Sequence, residues 1–289
     1  MQSFTNQATL TYSGKSVNSN TVTGQIADVL TVSKTAVIPS YTSGDEKTFV
    51  VTLVNSGTTA LTNLTVTDNL GRYEFTPQEA QAPIRLYPME YIADSIRYFV
   101  NGTLQETPEI DDTEGLRISG ISVPAGGSTV IVYETRITEY APLASGGTIT
   151  NTAAVTGAGL ANTVSASEEI TVSDAARLAI IKSVSPKTVT TAGTLTYTFD
   201  IQNYGSTATT EDDAVTVSDT FSPILKNISV LYNGTALSTA QYNYNEATGV
   251  FSTVPGVITV GAATFTQNPE TGAITVTPGT GTLEITGTI

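Results

Sequence analysis

Short runs in which apolar and polar residues alternate strictly recur along this chain, and that pattern leaves room for β-strands and little else. In Thr196-Tyr197-Thr198-Phe199-Asp200-Ile201-Gln202, the side chains of Tyr197, Phe199 and Ile201 share one face, while Thr, Asp and Gln take the other. Ile96, Tyr98 and Val100 alternate in the same way, as do Ile228, Val230 and Tyr232. A period of two matches the pleat of a strand, where successive side chains point to opposite faces. Turn pairs bound these runs at Asn101-Gly102, Asn233-Gly234, Ser56-Gly57 and Tyr204-Gly205. Asn-Gly accepts positive φ and closes tight hairpins. No helical stripe of useful length is present; Gln78 to Gln81 offers one short turn at most. The alternation predicts an all-β chain.

The order of these segments repeats once. Leu30-Thr31-Val32-Ser33-Lys34 matches Leu178-Ala179-Ile180-Ile181-Lys182, an offset of 148 (182 − 34). The run from Thr48 to Gly57 matches Thr196 to Gly205 at the same offset. Val66-Thr67-Asp68 matches Val217-Ser218-Asp219, and Asn101-Gly102 matches Asn233-Gly234. The offsets drift with loop length while the order holds, as in two copies of one structural unit. At 289 residues the length suits two sandwiches of roughly 100–150 residues each. The expectation is two tandem immunoglobulin-like β-sandwich domains, residues 30–175 and 176–289, preceded by a hairpin at 1–29.

These motifs resemble the conserved-repeat domain of bacterial surface proteins, the family labelled domain of unknown function 11. Its signature is a Lys, then Gly-Asp, then an aromatic-rich strand ending in Asn-x-Gly, then Val-Thr-Asp. Here those elements are Lys34, Gly44-Asp45, Phe49 to Gly57 and Val66-Thr67-Asp68. In the second copy they are Lys182, Gly193, Tyr197 to Gly205 and Val217-Ser218-Asp219, with Thr194 replacing the Asp. The resemblance implies an Ig-like fold on the exterior of a Gram-positive bacterium, and small two-domain members look like components of clostridial spore appendages. It implies no ligand. A spore-coat route also fits a chain with neither a signal peptide nor a sorting tail.

The repeat is out of phase with the chain. After its last matched strand, the first copy continues through Asn151-Thr152-Ala153-Ala154-Val155, Asn162-Thr163-Val164 and Glu169-Ile170. The second copy stops where this piece would begin. A copy of the piece stands at the N-terminus instead, as Asn6-Gln7-Ala8-Thr9-Leu10, Asn20-Thr21-Val22 and Gln25-Ile26. The offsets are 145 (151 − 6), 142 (162 − 20) and 144 (170 − 26). A sandwich lacking an edge hairpin exposes unpaired backbone, and a lone hairpin is marginal in water. The two defects complement each other if the donor hairpin of one molecule completes the second domain of the next. Such head-to-tail contact builds open filaments when its rotation does not close. Ala8, Leu10, Tyr12, Val22 and Ile26 are the expected assembly residues. The alternative is an adhesin or spacer module of a larger wall-anchored protein.

Composition narrows the chemistry. The net charge of −14 repels nucleic-acid phosphates. No apolar run approaches the ~20 residues of a membrane span. Cys is absent, in keeping with an oxidising exterior, and His is absent too, which removes the commonest general base and metal ligand. A glycosidase with two carboxylates would be the enzymatic reading, but no acidic pair stands out, and no enzyme activity is expected. Calcium is the one metal weighed, at the acidic loops Glu211-Asp212-Asp213 and Glu109 to Glu114, although solvated loops explain them as well. No cofactor is implied. Tyr41, Tyr73 and Tyr87 are candidate exposed rings for a carbohydrate platform.

Lys34 and Lys182 sit mid-strand among apolar neighbours. A buried neutral Lys beside a carboxyl group can bond covalently to an Asn side chain. The candidates are Lys34 with Asn151 or Asn55, aided by Asp68. The second set is Lys182 with Asn203 or, across subunits, Asn6, aided by Asp219. The competing reading is a Lys stem packed on the sheet with its head in water.

Overall fold

The structure, a computed structural model, describes residues 2–26 and 28–289, without the side chains of Gln2, Gln25 and Ile26. The chain is all-β; among the described residues the helical element is one 3-10 turn, Glu211–Asp213. It forms two compact units, Met1–Thr76 with Ala80–Ala141 and Thr148–Ile170, and Pro77–Glu79 with Pro142–Gly147 and Thr171–Ile289.

Each unit has a large antiparallel sheet of the same order. In the first unit it runs Thr103–Leu104, Arg97–Val100, Ser128–Ile137, Glu46–Asn55, Leu30–Ala36. In the second it runs Thr235–Ala236, Lys226–Tyr232, Gly279–Thr288, Thr194–Asn203, Leu178–Ser185. The paired registers put Lys34 opposite Val51 and Lys182 opposite Phe199. The Asn-Gly hairpins close as their chemistry requires: Asn101 and Asn233 both have φ 48° and their glycines φ 79° and 76°.

The facing sheets differ between the units. In the first unit the order is Glu109–Asp111, Leu116–Val123, Leu61–Asp68, Thr148–Thr156, Val164–Val172, Ser40–Tyr41. In the second it is Tyr242–Asn245, Val250–Thr253, Ser218–Thr220, and there it ends. Ser218–Thr220 is the counterpart of Leu61–Asp68, so the second unit has no described counterpart of the hairpin Thr148–Thr156 and Val164–Val172.

Between the sheets lies an apolar core. In the second unit Leu195, Phe199, Ile201, Val230, Leu283 and Ile285 meet Val217, Phe221 and Phe251. The ring of Phe221 lies 5.0 Å from that of Tyr197 and 6.0 Å from that of Phe251. Each large apolar side chain removed from water contributes roughly 1.5–3 kcal/mol. In the first unit Phe49 stacks on Tyr133 at 5.8 Å. Tyr41 is fully buried and Tyr73 and Tyr87 are half-buried, so the expected platform of exposed tyrosines does not form.

Candidate functional site

A charged cluster is sealed inside the first unit. Lys34 projects from the large sheet and Asp68 from the facing one. Lys34 Nζ donates to Asp68 Oδ2, and the Tyr133 hydroxyl donates to the same oxygen. Asp68 Oδ1 accepts from the Leu70 amide at 2.9 Å. The Lys34 ammonium lies 4.9 Å from the centre of the Phe49 ring and 5.8 Å from that of Tyr133. Neither side chain of the ion pair reaches water, at 0% and 1% exposed. Burial drives the Lys34 amine below its ordinary value, although Asp68 and, more weakly, Glu168 oppose that shift. Burial, then the Asp68 charge, pushes the Tyr133 phenol well above its ordinary value.

Asn151 completes the cluster. Ala153 pairs with Asp68 across neighbouring strands, and alternation puts Asn151 on the same inward face one pleat away. The Asn151 side chain is fully buried, and neither its Nδ2 nor its Oδ1 makes a hydrogen bond. It stands close enough to the Tyr133 hydroxyl to favour the phenolate slightly.

The other asparagines named for this chemistry have different work. Asn55 Oδ1 accepts from Gly57 N at 2.9 Å, and its Nδ2 donates to Thr59 O and Val123 O at 2.9 and 3.3 Å. Asn203 Oδ1 accepts from Arg177 N and Gly205 N, and its Nδ2 donates to Thr207 O and Gly261 O. Both are buried staples of the turn after their strand. Each also lies four residues along the partner strand from the residue opposite its lysine, roughly 13 Å at 3.3 Å per residue. Neither serves as the partner of Lys34 or Lys182.

In the second unit the same cluster stands open. Lys182 Nζ donates to Asp219 Oδ2, and Tyr197, Phe199 and Phe221 surround the ammonium at 4.5, 5.5 and 5.7 Å from their centres. Yet the Lys182 side chain is 42% exposed. Leu178 pairs with Asn203 as Leu30 pairs with Asn55, but Leu30 is 5% exposed and Leu178 is 40%. Ile180 stands exposed on the same core-facing side. In the first unit the hairpin Thr148–Thr156 and Val164–Val172 lies against Leu30–Ala36, with Ala36 N donating to Glu168 Oε1; no counterpart of it is described in the second unit.

The N-terminal segment folds on itself. Gln2–Asn6 pairs with Val22–Ile26, and Thr9–Tyr12 with Lys15–Asn18; among the described residues these strands pair with no others. Phe4, Leu10, Tyr12, Val17 and Val22 are all exposed, Leu10 at 65%, and Ala8 is exposed too. The side chain of Ile26 lies outside the described residues. At the offset of 145, Phe4, Asn6, Ala8 and Leu10 align with Ile149, Asn151, Ala153 and Val155. All four of those are buried.

Among the described residues no three Asp or Glu side chains converge to hold an ion. The Asp213 carboxylate instead accepts from Thr210 N and the Thr210 hydroxyl, at 2.6 and 3.0 Å. No described helix is long and apolar enough to cross a membrane.

No protein-family model matches the chain, and no curated protein matches it. Among solved structures it is similar to the major pilin subunit of Bacillus cereus, at 10% identity over 87% of this chain and 65% of the pilin, with a TM-score of 0.36. The collagen-binding domain of a Staphylococcus aureus adhesin matches at 12% identity over 50% of this chain and 98% of that domain, with a TM-score of 0.29. The bacterial hydrophobin BslA matches at 14% identity over 53% of this chain and all of its own, with a TM-score of 0.31.

Proposed function

We propose that this protein is a structural subunit of an extracellular bacterial fibre, spore appendage or surface layer, and that it assembles head-to-tail by β-strand complementation. One observation carries the reading. The second unit is open along the outer edge of Ser218–Thr220, and the same chain holds a hairpin whose described strands pair only with each other and whose alternate positions repeat those that close the first unit. Hairpin 2–26 of one molecule occupies that gap in the next. Phe4, Ala8 and Leu10 then take the buried places of Ile149, Ala153 and Val155, and the edge backbone gains partners. The resemblance to bacterial surface repeats and the absence of Cys agree with an exterior location.

Electron microscopy and sedimentation of the full chain, beside a truncation beginning at residue 30, test this. The full chain is expected to form filaments with a repeat of two sandwiches, and the truncation to stay monomeric. A full chain as monomeric as the truncation at high concentration would leave a spacer module of a larger surface protein as the better reading.

A further inference from the structure

The Asn151 amide stands out among the described residues: fully buried, without a hydrogen bond of its own, and beside the Tyr133 hydroxyl that donates to Asp68 of the buried Lys–Asp pair. Buried polar atoms without partners are rare, and each calls for a reason. We propose that Lys34 and Asn151 become joined by an isopeptide bond that the protein makes on itself, with Asp68 as the proton carrier.

The parts are in place for acyl transfer. The Lys34 ammonium passes one proton to the Asp68 carboxylate across their direct contact, which leaves a neutral amine. Burial of the amine favours that neutral form. The amine attacks Asn151 Cγ, while the Asp68 acid polarises Oδ1 and then relays protons from Nζ to Nδ2. The Cγ–Nδ2 bond breaks and ammonia leaves. A new amide links Nζ to Cγ, and the remaining proton stays on Asp68 or departs with ammonia as ammonium. No oxidant, metal or cofactor enters the balance.

A second bond follows from a separate observation and rests on the strand exchange proposed above. Lys182, Asp219 and their aromatic surround repeat the lysine and the acid of the first site, with Ile285 in the place of Tyr133 and the asparagine missing. The repeat places Asn6 where Asn151 stands. A neighbour's hairpin seated in the gap presents Asn6 to Lys182, and the same transfer ties successive molecules together covalently.

Intact mass spectrometry of the purified chain reads the first bond directly. The expected mass is one ammonia below that of the sequence, with a branched peptide joining the segments around Lys34 and Asn151. Asn151→Ala keeps the Lys34–Asp68 pair, so it is expected to fold and to show its full sequence mass. A wild-type chain of full mass with no branched peptide overturns the first bond. For the second, assembled material is boiled in detergent and run beside Asn6→Ala. A ladder of multimers is expected from the wild type, and filaments that dissociate to monomers from the variant. Wild-type filaments that also dissociate sink the intermolecular bond and leave strand exchange standing. If no filaments form at all, strand exchange falls and the second bond with it, while the mass result on Lys34 is untouched.

Discussion

Lys34 and Asp68 meet across the two sheets of the first unit with both side chains sealed from water, whereas their counterparts Lys182 and Asp219 make the same contact with side chains 42% and 18% exposed. The first unit has a hairpin over this face with no described counterpart in the second. The same lysine–aspartate pair is an interior in one copy and an open face in the other, where Ile285 stands in place of Tyr133.

That contrast sets unequal costs for losing the acid. In an Asn151→Ala background, which keeps the ion pair unbonded, Asp68→Ala strands a buried Lys34 charge and is expected to destabilise the first unit by about 3–5 kcal/mol. Asp219→Ala in the free molecule removes a solvent-screened pair and is expected to cost no more than about 1 kcal/mol. Hydrogen exchange read separately on each unit measures both, and equal effects would contradict the burial difference.

Leu10 is solvated in the free chain, so Leu10→Ala should leave the melting of the monomer nearly unchanged. In the assembled state it gives up a burial of roughly 1.5–3 kcal/mol. The critical concentration for assembly, measured by sedimentation, is therefore expected to rise by roughly 10- to 100-fold. An unchanged value would show that Leu10 does not enter the neighbouring core.

Asn55→Ala and Asn203→Ala remove the turn staples. Each leaves buried carbonyl and amide partners unsatisfied, at a cost of at least about 1–3 kcal/mol to its own unit. Neither substitution is expected to alter the extent of isopeptide formation in folded material, and mass spectrometry of the soluble fraction checks this. A chain that loses its ammonia deficit only in Asn55→Ala would reassign the partner of Lys34.

Burial raises the phenols of Tyr41 and Tyr133 above their ordinary value of about 10, Tyr41 by burial alone. A raised folded value means that the folded state holds its proton where the unfolded state has lost it. Their contribution is therefore complete below about pH 10 and declines as the pH climbs further. Alkaline titration followed by phenolate absorbance is expected to show two phenols that ionise only as the fold is lost. If they titrate in the native chain with the exposed tyrosines, the burial assignment is wrong.

Much of this architecture is legible one strand at a time. Tyr197, Phe199 and Ile201 declare a buried face by spacing alone, Asn101-Gly102 and Asn233-Gly234 declare their turns, and the match of Asn6 to Asn151 exposes the displaced hairpin. Tyr133 is not legible from the sequence as a member of the Lys34 cluster. Tyr133 sits at an inward position of an alternating run with Ile131, but alternation says only which face a residue takes. It does not say which residue of the opposite sheet it meets. For the same reason alternation leaves Asn55 and Asn151 as equals beside Lys34 and does not mark Tyr41 as buried.

The sequence by itself determined the strands, the turns, the duplication and its displaced piece, because each depends on local spacing and on residue order. The tertiary structure alone decided that Asn151 is buried beside the Tyr133 hydroxyl of the Lys34–Asp68 cluster, that Asn55 and Asn203 staple turns, and that the second unit stands open at Leu178 and Lys182. Those facts depend on how two sheets about 10 Å apart are set against each other, and that placement comes from the packing of all their side chains at once.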